Sequence, residues 1–410
     1  MTRPSSLTRR GMMLRSFALG CSVSASPLLT PVSFASLPGE GRLVVIILRG
    51  GMDGLDVVRP VGDVDFAALR PETDTPGFAL DGFFELHPAL GGLYPLWRSE
   101  ELSFAHAVST PYRDKRSHFD GQDMLETGGG GATPGRTRNG WLNRLVQTIP
   151  GATSDIAYAI GRENMLLLTG DAPVSNWSPE AAMSLNPQAR RLLELVTHDD
   201  PLFREALAEA LLLSSAERND VVGAVSADPN GMMPSDRESR TPRRREAGVQ
   251  AITRFAADRL RREARIAAFS VSGFDTHVRQ TQALPRALSH VQDAILTLRR
   301  HLGQIWQHTA VLAMTEFGRT ARFNGTGGTD HGTAGVVLMA GGALKGGRVI
   351  TDWPGLSEAD LYARRDLHPT RDLRALAGWV MHDLFGTAPS VITGSVFPAV
   401  DLDRNPRLLL

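Results

Sequence analysis

Carboxylates, imidazoles and one hydroxyl recur in this chain just where apolar runs stop. Glu316 follows the run 310–314, and the pair Asp330-His331 falls just before the run 335–340. Asp275 and His277 follow the run 266–271. On extended backbone, residues i and i+2 point the same way, so these two can reach one cation. Asp53 stands in Arg49-Gly50-Gly51-Met52-Asp53-Gly54, directly after the run 42–48. There a carboxylate can reach a metal, cap the next helix or make an Asx turn. Ser117 lies in Arg113-Asp114-Lys115-Arg116-Ser117-His118, after the run 102–108, where a helix should begin. A hydroxyl there is either a plain helix cap beside a basic loop or, with the helix N-terminus, part of an anion site.

These positions need a scaffold that brings distant loops together. The run 42–48 is continuous, β-branched and bounded by glycine, the mark of a strand buried on both faces. The runs 102–108, 266–271, 310–314 and 335–340 read the same way, with shorter strands at 156–160, 165–168 and 348–350. Helices are expected at 84–97, from Ser117, from Gly140, at 201–213, 251–265 and 285–306, and from 366–372 to Leu384. Such alternation predicts an α/β fold: a doubly wound, mostly parallel sheet sandwiched by helices, with ligands at the C-terminal ends of its strands. One domain of this kind accounts for residues 36–410. Residues 226–248, rich in Pro, Gly, Ser and Arg, read as a mobile surface insertion. His87 reads as a helix-start residue, and His290, His301 and His308 as structural or solvent-facing. His368 either enters the site at a helix start or stays exposed beside a Thr370 cap.

The balance of 44 Lys and Arg against 44 Asp and Glu gives no electrostatic case for a nucleic-acid partner. Paired arginines, Arg9-Arg10, precede an apolar run too short to span a bilayer, and Ser33-Phe34-Ala35 offers small residues for cleavage. A twin-arginine signal over residues 1–35 is expected, with a periplasmic or secreted location and no stable membrane insertion after cleavage. Its loss removes four arginines and no acid, leaving 40 bases against 44 acids. The single cysteine, Cys21, lies inside it, so no disulfide or thiolate ligand is expected afterwards. The glycines at 50–54 lack dinucleotide-binding spacing, and neither a P-loop nor an H-E-x-x-H motif is present. Oligomeric state leaves no mark in the sequence.

Five motifs stand in order: Leu-Arg-Gly-Gly-x-Asp-Gly-Leu (48–55), Arg-Ser-His-Phe-Asp (116–120), Phe-Asp-Thr-His (274–277), Glu-Phe-Gly-Arg-Thr (316–320) and Gly-Gly-Thr-Asp-His-Gly (327–332). Together they closely resemble the DUF1501 family of exported bacterial proteins, over nearly the whole chain after residue 35. Met52, Asp56, Gly121, Thr315 and His368 depart from the expected pattern without removing a candidate ligand. The family looks related to the alkaline phosphatase-like superfamily, which includes sulfatases and metal-dependent phosphomutases. That resemblance implies that Asp53 binds metal, that Ser117 is the nucleophile, and that Asp275 and His277 are a later ligand pair. The superfamily's Asp-His pair sits directly at a strand end, a place held here by Glu316 and Phe317. On this register Glu316 replaces the Asp, Phe317 replaces the His, and His331 is the final His, as in phosphopentomutase-like members. Asp330 beside it is a further candidate ligand. One ligand of one metal is then missing.

The activity so implied is metal-dependent hydrolysis or transfer of a phosphate or sulfate ester, a small anionic substrate, through Ser117. Asp275, His277 and His331 would hold one divalent cation; Asp53 and Glu316 would place a weaker second one or a basic side chain. Imidazole-rich ligation suits zinc or manganese, and an all-carboxylate position suits magnesium or calcium. Arg116 and Arg319, with Arg49 and Arg113, are the candidates for holding ester oxygens. The loss at Phe317 admits a second expectation, a non-enzymatic exported protein that binds a partner or glycan on the same fold.

Overall fold

Alternate residues of Arg42–Arg49 (β1) pack to opposite sides, Val44, Ile46 and Leu48 into one apolar core and Leu43, Val45 and Ile47 into another. A strand whose side chains alternate can be continuously apolar only when both faces are covered. The computed structural model describes residues 39–71, 75–129, 139–161, 165–179 and 242–410. The expected leader, the helix at 201–213 and residues 226–241 of the expected insertion lie outside them. Within Ser36–Leu410, which forms one compact unit, the other main strands are Leu102–Ser109 (β2), Ala157–Ile160 (β3), Ser175–Trp177 (β4), Ile266–Ser272 (β5), Thr309–Met314 (β6), Gly335–Ala340 (β7), Val349–Ile350 (β8) and Arg371–Asp372 (β9).

The sheet runs β8-β2-β7-β6-β1-β5-β3-β4, with β9 also paired to β2. Pairing is parallel except for β7, which is antiparallel to both β2 and β6. That reversal follows from the loop after β6, which returns to the sheet at the edge it left, so the next strand must run back. One core is covered by Pro242–Leu260 (α3) and Gln280–Leu302 (α4), the other by Trp141–Gln147 (α2) and Leu373–Phe385 (α5). In α4 the inward residues Leu284, Ala287, Leu288, Val291, Ala294, Ile295 and Leu298 recur three or four apart, the stripe of an amphipathic helix. His118–Thr127 (α1) stands above the sheet edge, capped by Ser117 and closed by Gly128 at φ 59°.

Several local readings change. Residues 166–168 form a single 3-10 turn rather than a strand; an apolar run that short does not separate the two. The expected helix at 84–97 is a two-residue strand at Glu85–Leu86, a 3-10 turn at Pro88–Leu93 and a short helix at Tyr94–Arg98, because Gly91 and Gly92 weaken the helix. Helix α3 starts at Pro242, so the last residues of the expected insertion are helical. Proline is well suited to a first helical turn. No helix among the described residues is long and apolar enough to cross a membrane.

Candidate metal centre

The C-terminal ends of β1, β2, β5 and β6 share one edge of the sheet. Arg49 at the end of β1 pairs with Ser272 at the end of β5, Ile47 pairs with Met314, and Gly335 enters β7 opposite Val108. The loops leaving these strands therefore meet. Each brings an acid or an imidazole.

Asp275 Oδ1 is the meeting point. His277 Nε2 lies 3.0 Å from it, His331 Nε2 3.3 Å and His118 Nε2 3.4 Å. The Nε2 atoms of His277 and His331 are 2.9 Å apart. The other ring nitrogens are all engaged. His331 Nδ1 donates to the Arg116 carbonyl at 2.9 Å, since a carbonyl can only accept. His118 Nδ1 sits 2.8 Å from Glu316 Oε1, and His277 Nδ1 3.2 Å from Asp330 Oδ1. In the tautomers that put each Nδ1 proton on its acceptor, three Nε2 lone pairs turn toward one another and toward a carboxylate oxygen. His118 Nε2 is buried and has no hydrogen-bond partner.

Such crowding of acceptors calls for a cation. Four-coordinate zinc with bonds of about 2.0–2.2 Å has ligand-to-ligand edges of roughly 3.3 Å. The contacts here, 2.9 to 3.4 Å, match that spacing. His118, Asp275 and His331 alone place ligand atoms all within 4.8 Å of one another, and His277 joins through Asp275 and His331. Carboxylate or carbonyl acceptors behind metal-bound imidazoles are the usual supporting shell. The side chains are 14% to 50% exposed, so the cluster opens to solvent rather than closing as a purely structural site. The residues present fit a divalent metal ion.

Electrostatics keep both carboxylates ionised. Burial tends to raise the Asp275 carboxyl, yet the Arg319 hydrogen bond and charge, with His331 and His277, keep it at about 2. Burial likewise opposes ionisation of Glu316, but hydrogen bonds from His118 and the Gly50 amide hold its pKa below the usual range. His118 is raised by its bond to Glu316, whereas burial lowers His331.

The remaining expected residues take other places. Asp53 does not offer a ligand: Arg70 donates to its two oxygens at 2.8 and 3.1 Å, and Gln280 adds a third bond at 2.7 Å. Glu316 has both oxygens engaged by protein donors. Its Oε1 accepts from Gly50 N, His118 Nδ1 and Gln122 Nε2, and its Oε2 from Thr315 Oγ1. Asp330 holds His277 and accepts from Asn324 at 3.1 Å. Arg319 is an internal brace, donating to the carbonyls of Gly50, Gly51, Phe274 and Thr329 and to Asp275 Oδ1. Arg49 is turned to α1, onto Glu126 and Gln122, and Arg113 onto the Thr110 and Tyr112 carbonyls. Arg116 adopts φ 52°, aims its carbonyl at His331 and leaves its side chain exposed. Ser117 caps α1, its Oγ accepting from Asp120 N at 3.4 Å. Phe317 lies under the cluster, 4.8 Å from the His331 ring and 5.2 Å from that of His118. His118 itself is the residue the sequence reading passed over; a third imidazole in a loop bound for this edge was its only signal.

The family model "Protein of unknown function (DUF1501)" matches residues 98–388. The chain belongs to the DUF1501 family. No curated protein matches it. Among solved structures, the chain is similar to alkaline phosphatase from the Antarctic bacterium TAB5, at 11% identity and TM-score 0.34, covering 73% of this chain and 90% of that one. A protein in the alkaline phosphatase superfamily from Vibrio parahaemolyticus is similar at 11% identity and TM-score 0.39, over 90% of this chain and 72% of that one. The C-terminal periplasmic domain of EcEptC from Escherichia coli, in complex with Zn, is similar at 10% identity and TM-score 0.39, over 92% and 93%. For this DUF1501 chain, likenesses so distant say nothing of the reaction, and the site must carry that argument.

Proposed function

We propose that this chain is an exported hydrolase or transferase acting on a phosphate or sulfate ester at one divalent-metal site formed by His118, His277, His331 and Asp275. The observation that carries this reading is the convergence of three imidazoles, each with Nδ1 committed to an acceptor, on one carboxylate oxygen. A divalent cation there supplies Lewis acidity to an ester oxygen and lowers the pKa of a hydroxyl or water beside it. The imidazole-rich donor set favours zinc or manganese.

The chain's own groups do the rest. Glu316, Asp330 and the Arg116 carbonyl fix the three tautomers, and Arg319 steadies Asp275. The exposed Arg116 guanidinium is available to non-bridging ester oxygens. Ser117 directly precedes His118 at a helix N-terminus, and its long cap bond leaves the hydroxyl weakly engaged. Attack by Ser117 Oγ on phosphorus or sulfur would release the alcohol and leave an ester on the serine, which water then cleaves. The paired arginines in the leader support export.

Metal content of the purified full chain tests this, followed by turnover of p-nitrophenyl phosphate and sulfate before and after chelation. Bound zinc or manganese and chelator-sensitive turnover are expected, with both lost in His118→Ala and His331→Ala. Ser117→Ala should keep the metal and lose turnover; unchanged activity would hand the attack to water. A metal-free and inert wild type sinks the reading.

A second reading rests on Asp53 and Phe317. With Asp53 paired to Arg70 and an apolar ring beneath the cluster, neither position 53 nor position 317 offers a free donor for a second ion. A binding protein that keeps one metal fits that arrangement, and wild type loaded with metal yet inert across both esters would favour it.

A further inference from the structure

Beneath the histidine cluster lies a second charged assembly that the proposed reaction does not use. Arg70 is buried; oxygen rings the edge of its guanidinium, and the Phe323 ring lies 4.9 Å from its central carbon. Nη1 donates to Asp53 Oδ2 at 2.8 Å, Nη2 to Asp53 Oδ1 at 3.1 Å and to the Thr320 carbonyl at 2.8 Å, and Nε to the Ala321 carbonyl at 2.7 Å. Thr329 Oγ1 approaches Asp53 Oδ2 at 3.3 Å. Carboxylate, backbone carbonyl and hydroxyl oxygens are the donor types that a hard cation such as Ca2+ or Mg2+ takes. The carbonyls come from the loop that carries Arg319 and His331, the carboxylate from the loop after β1. Whatever sits in this cage pins those two loops together.

We propose that Arg70 is a tethered cation filling a hard-metal cage, so that the sheet edge takes one exchangeable ion, at the histidines, instead of two. The positive charge is what the cage requires, because a buried Asp53 without it would be an uncompensated carboxylate. Replacing Arg70 by a small neutral residue should convert the cage into a Ca2+ or Mg2+ site. The inference rests on the metal site proposed above for its count of ions but not on the ester chemistry, and its readout is stability rather than turnover.

The test is thermal unfolding of the full chain and of Arg70→Ser and Arg70→Lys, each in chelator, in Ca2+ and in Mg2+, with bound metal counted. Wild type should gain nothing from Ca2+ or Mg2+. Arg70→Ser should be strongly destabilised in chelator, recover with one of the two ions in a saturable way and bind an additional ion per chain. Adding Asp53→Asn to Arg70→Ser should abolish that recovery. Arg70→Lys keeps the charge and should fold without added ion. An Arg70→Ser chain indifferent to both ions overturns the proposal. So does failure of both Arg70→Lys and ion-supplemented Arg70→Ser to fold, since the guanidinium's hydrogen-bond pattern would then be the requirement rather than its charge.

Discussion

Arg319 Nη2 lies 2.7 Å from Asp275 Oδ1, the oxygen on which the three imidazoles converge. The same guanidinium donates to carbonyls at both flanks of the site, from Gly51 at 2.6 Å to Thr329 at 2.8 Å. One buried side chain thus ties the loops after β1, β5 and β6 into a single frame. Lysine cannot reproduce that fork, because its single ammonium reaches fewer acceptors. Each buried carbonyl left without a donor costs about 1–3 kcal/mol. Arg319→Lys should therefore lose roughly 3 kcal/mol or more in denaturant unfolding and bind metal more weakly. A midpoint matching wild type, with unchanged metal affinity, would show that the frame does not need the fork.

Glu316→Gln separates orientation from ligation. The carboxylate accepts from His118 Nδ1 at 2.8 Å and from Gly50 N at 2.9 Å, with no oxygen placed among the converging Nε2 atoms. Loss of such a supporting acceptor commonly weakens metal binding about 10- to 100-fold without abolishing it. Calorimetric titration of metal-free protein with zinc should show that loss for Glu316→Gln and near-complete loss for His331→Ala. Equal, complete loss in both would make Glu316 a ligand.

How much of this could be read from residue order depends on the kind of contact. The strands were legible because runs such as 42–48 are apolar at every position, a pattern only a doubly covered strand sustains. Asp275 and His277 were legible as neighbours because they stand two apart just past a strand; the structure turns that loop at Thr276, whose amide donates to the Phe274 carbonyl, and brings both to His331. The role of Asp53 was not legible. Its partner Arg70 lies 17 residues away at the end of a four-residue helix, Phe66–Leu69, too short to leave a periodic signal. Whether Glu316 ligates or orients turned on where His118 lands, and the rise of helix α1 from Ser117 decides that. Composition does not encode such a choice; packing does.

Gly50 should tolerate no side chain. Its φ is +118°, and a Cβ there would fall 2.4 Å from the Asp275 amide nitrogen. The loop after β1 can pass this close to the loop after β5 only without a side chain. Gly50→Ala has both backbone strain and a backbone clash to relieve, so a loss of about 2–4 kcal/mol in stability is expected, together with loss of metal from the displaced Asp275. Gly273→Ala, in the loop after β5, gives the contrast. It also has positive φ, at +117°, but a Cβ there meets nothing closer than the Ala287 methyl at 3.4 Å. It should show the strain alone and keep its metal. Similar metal loss in both would point to general loop damage.

Two histidines remote from the metal centre should set the acid limit of the fold. His106 is buried in β2 with both nitrogens committed: Nε2 contacts the Val58 carbonyl at 3.0 Å, and Nδ1 accepts from the Ala107 amide at 2.8 Å. Protonating Nδ1 would set two donors against each other inside the core. Burial accordingly lowers His106 to about 4, and burial also lowers His87 to about 4, where Nδ1 accepts from the Ala89 amide at 3.0 Å. In the unfolded chain both return to about 6.5. Between those values the unfolded state binds more protons, so stability is complete above about pH 6.5 and falls as pH drops toward 4. A shift of this size corresponds to at most about 3 kcal/mol for each histidine. Denaturant midpoints should fall steadily from pH 7 to pH 4.5 in metal-free protein, where the cluster imidazoles add their own titration. In His106→Gln, which keeps a donor for Val58 and an acceptor for Ala107 but does not titrate, the slope should flatten while the midpoint at pH 7 stays within about 1–2 kcal/mol of wild type. An unaltered slope would place the acid sensitivity elsewhere.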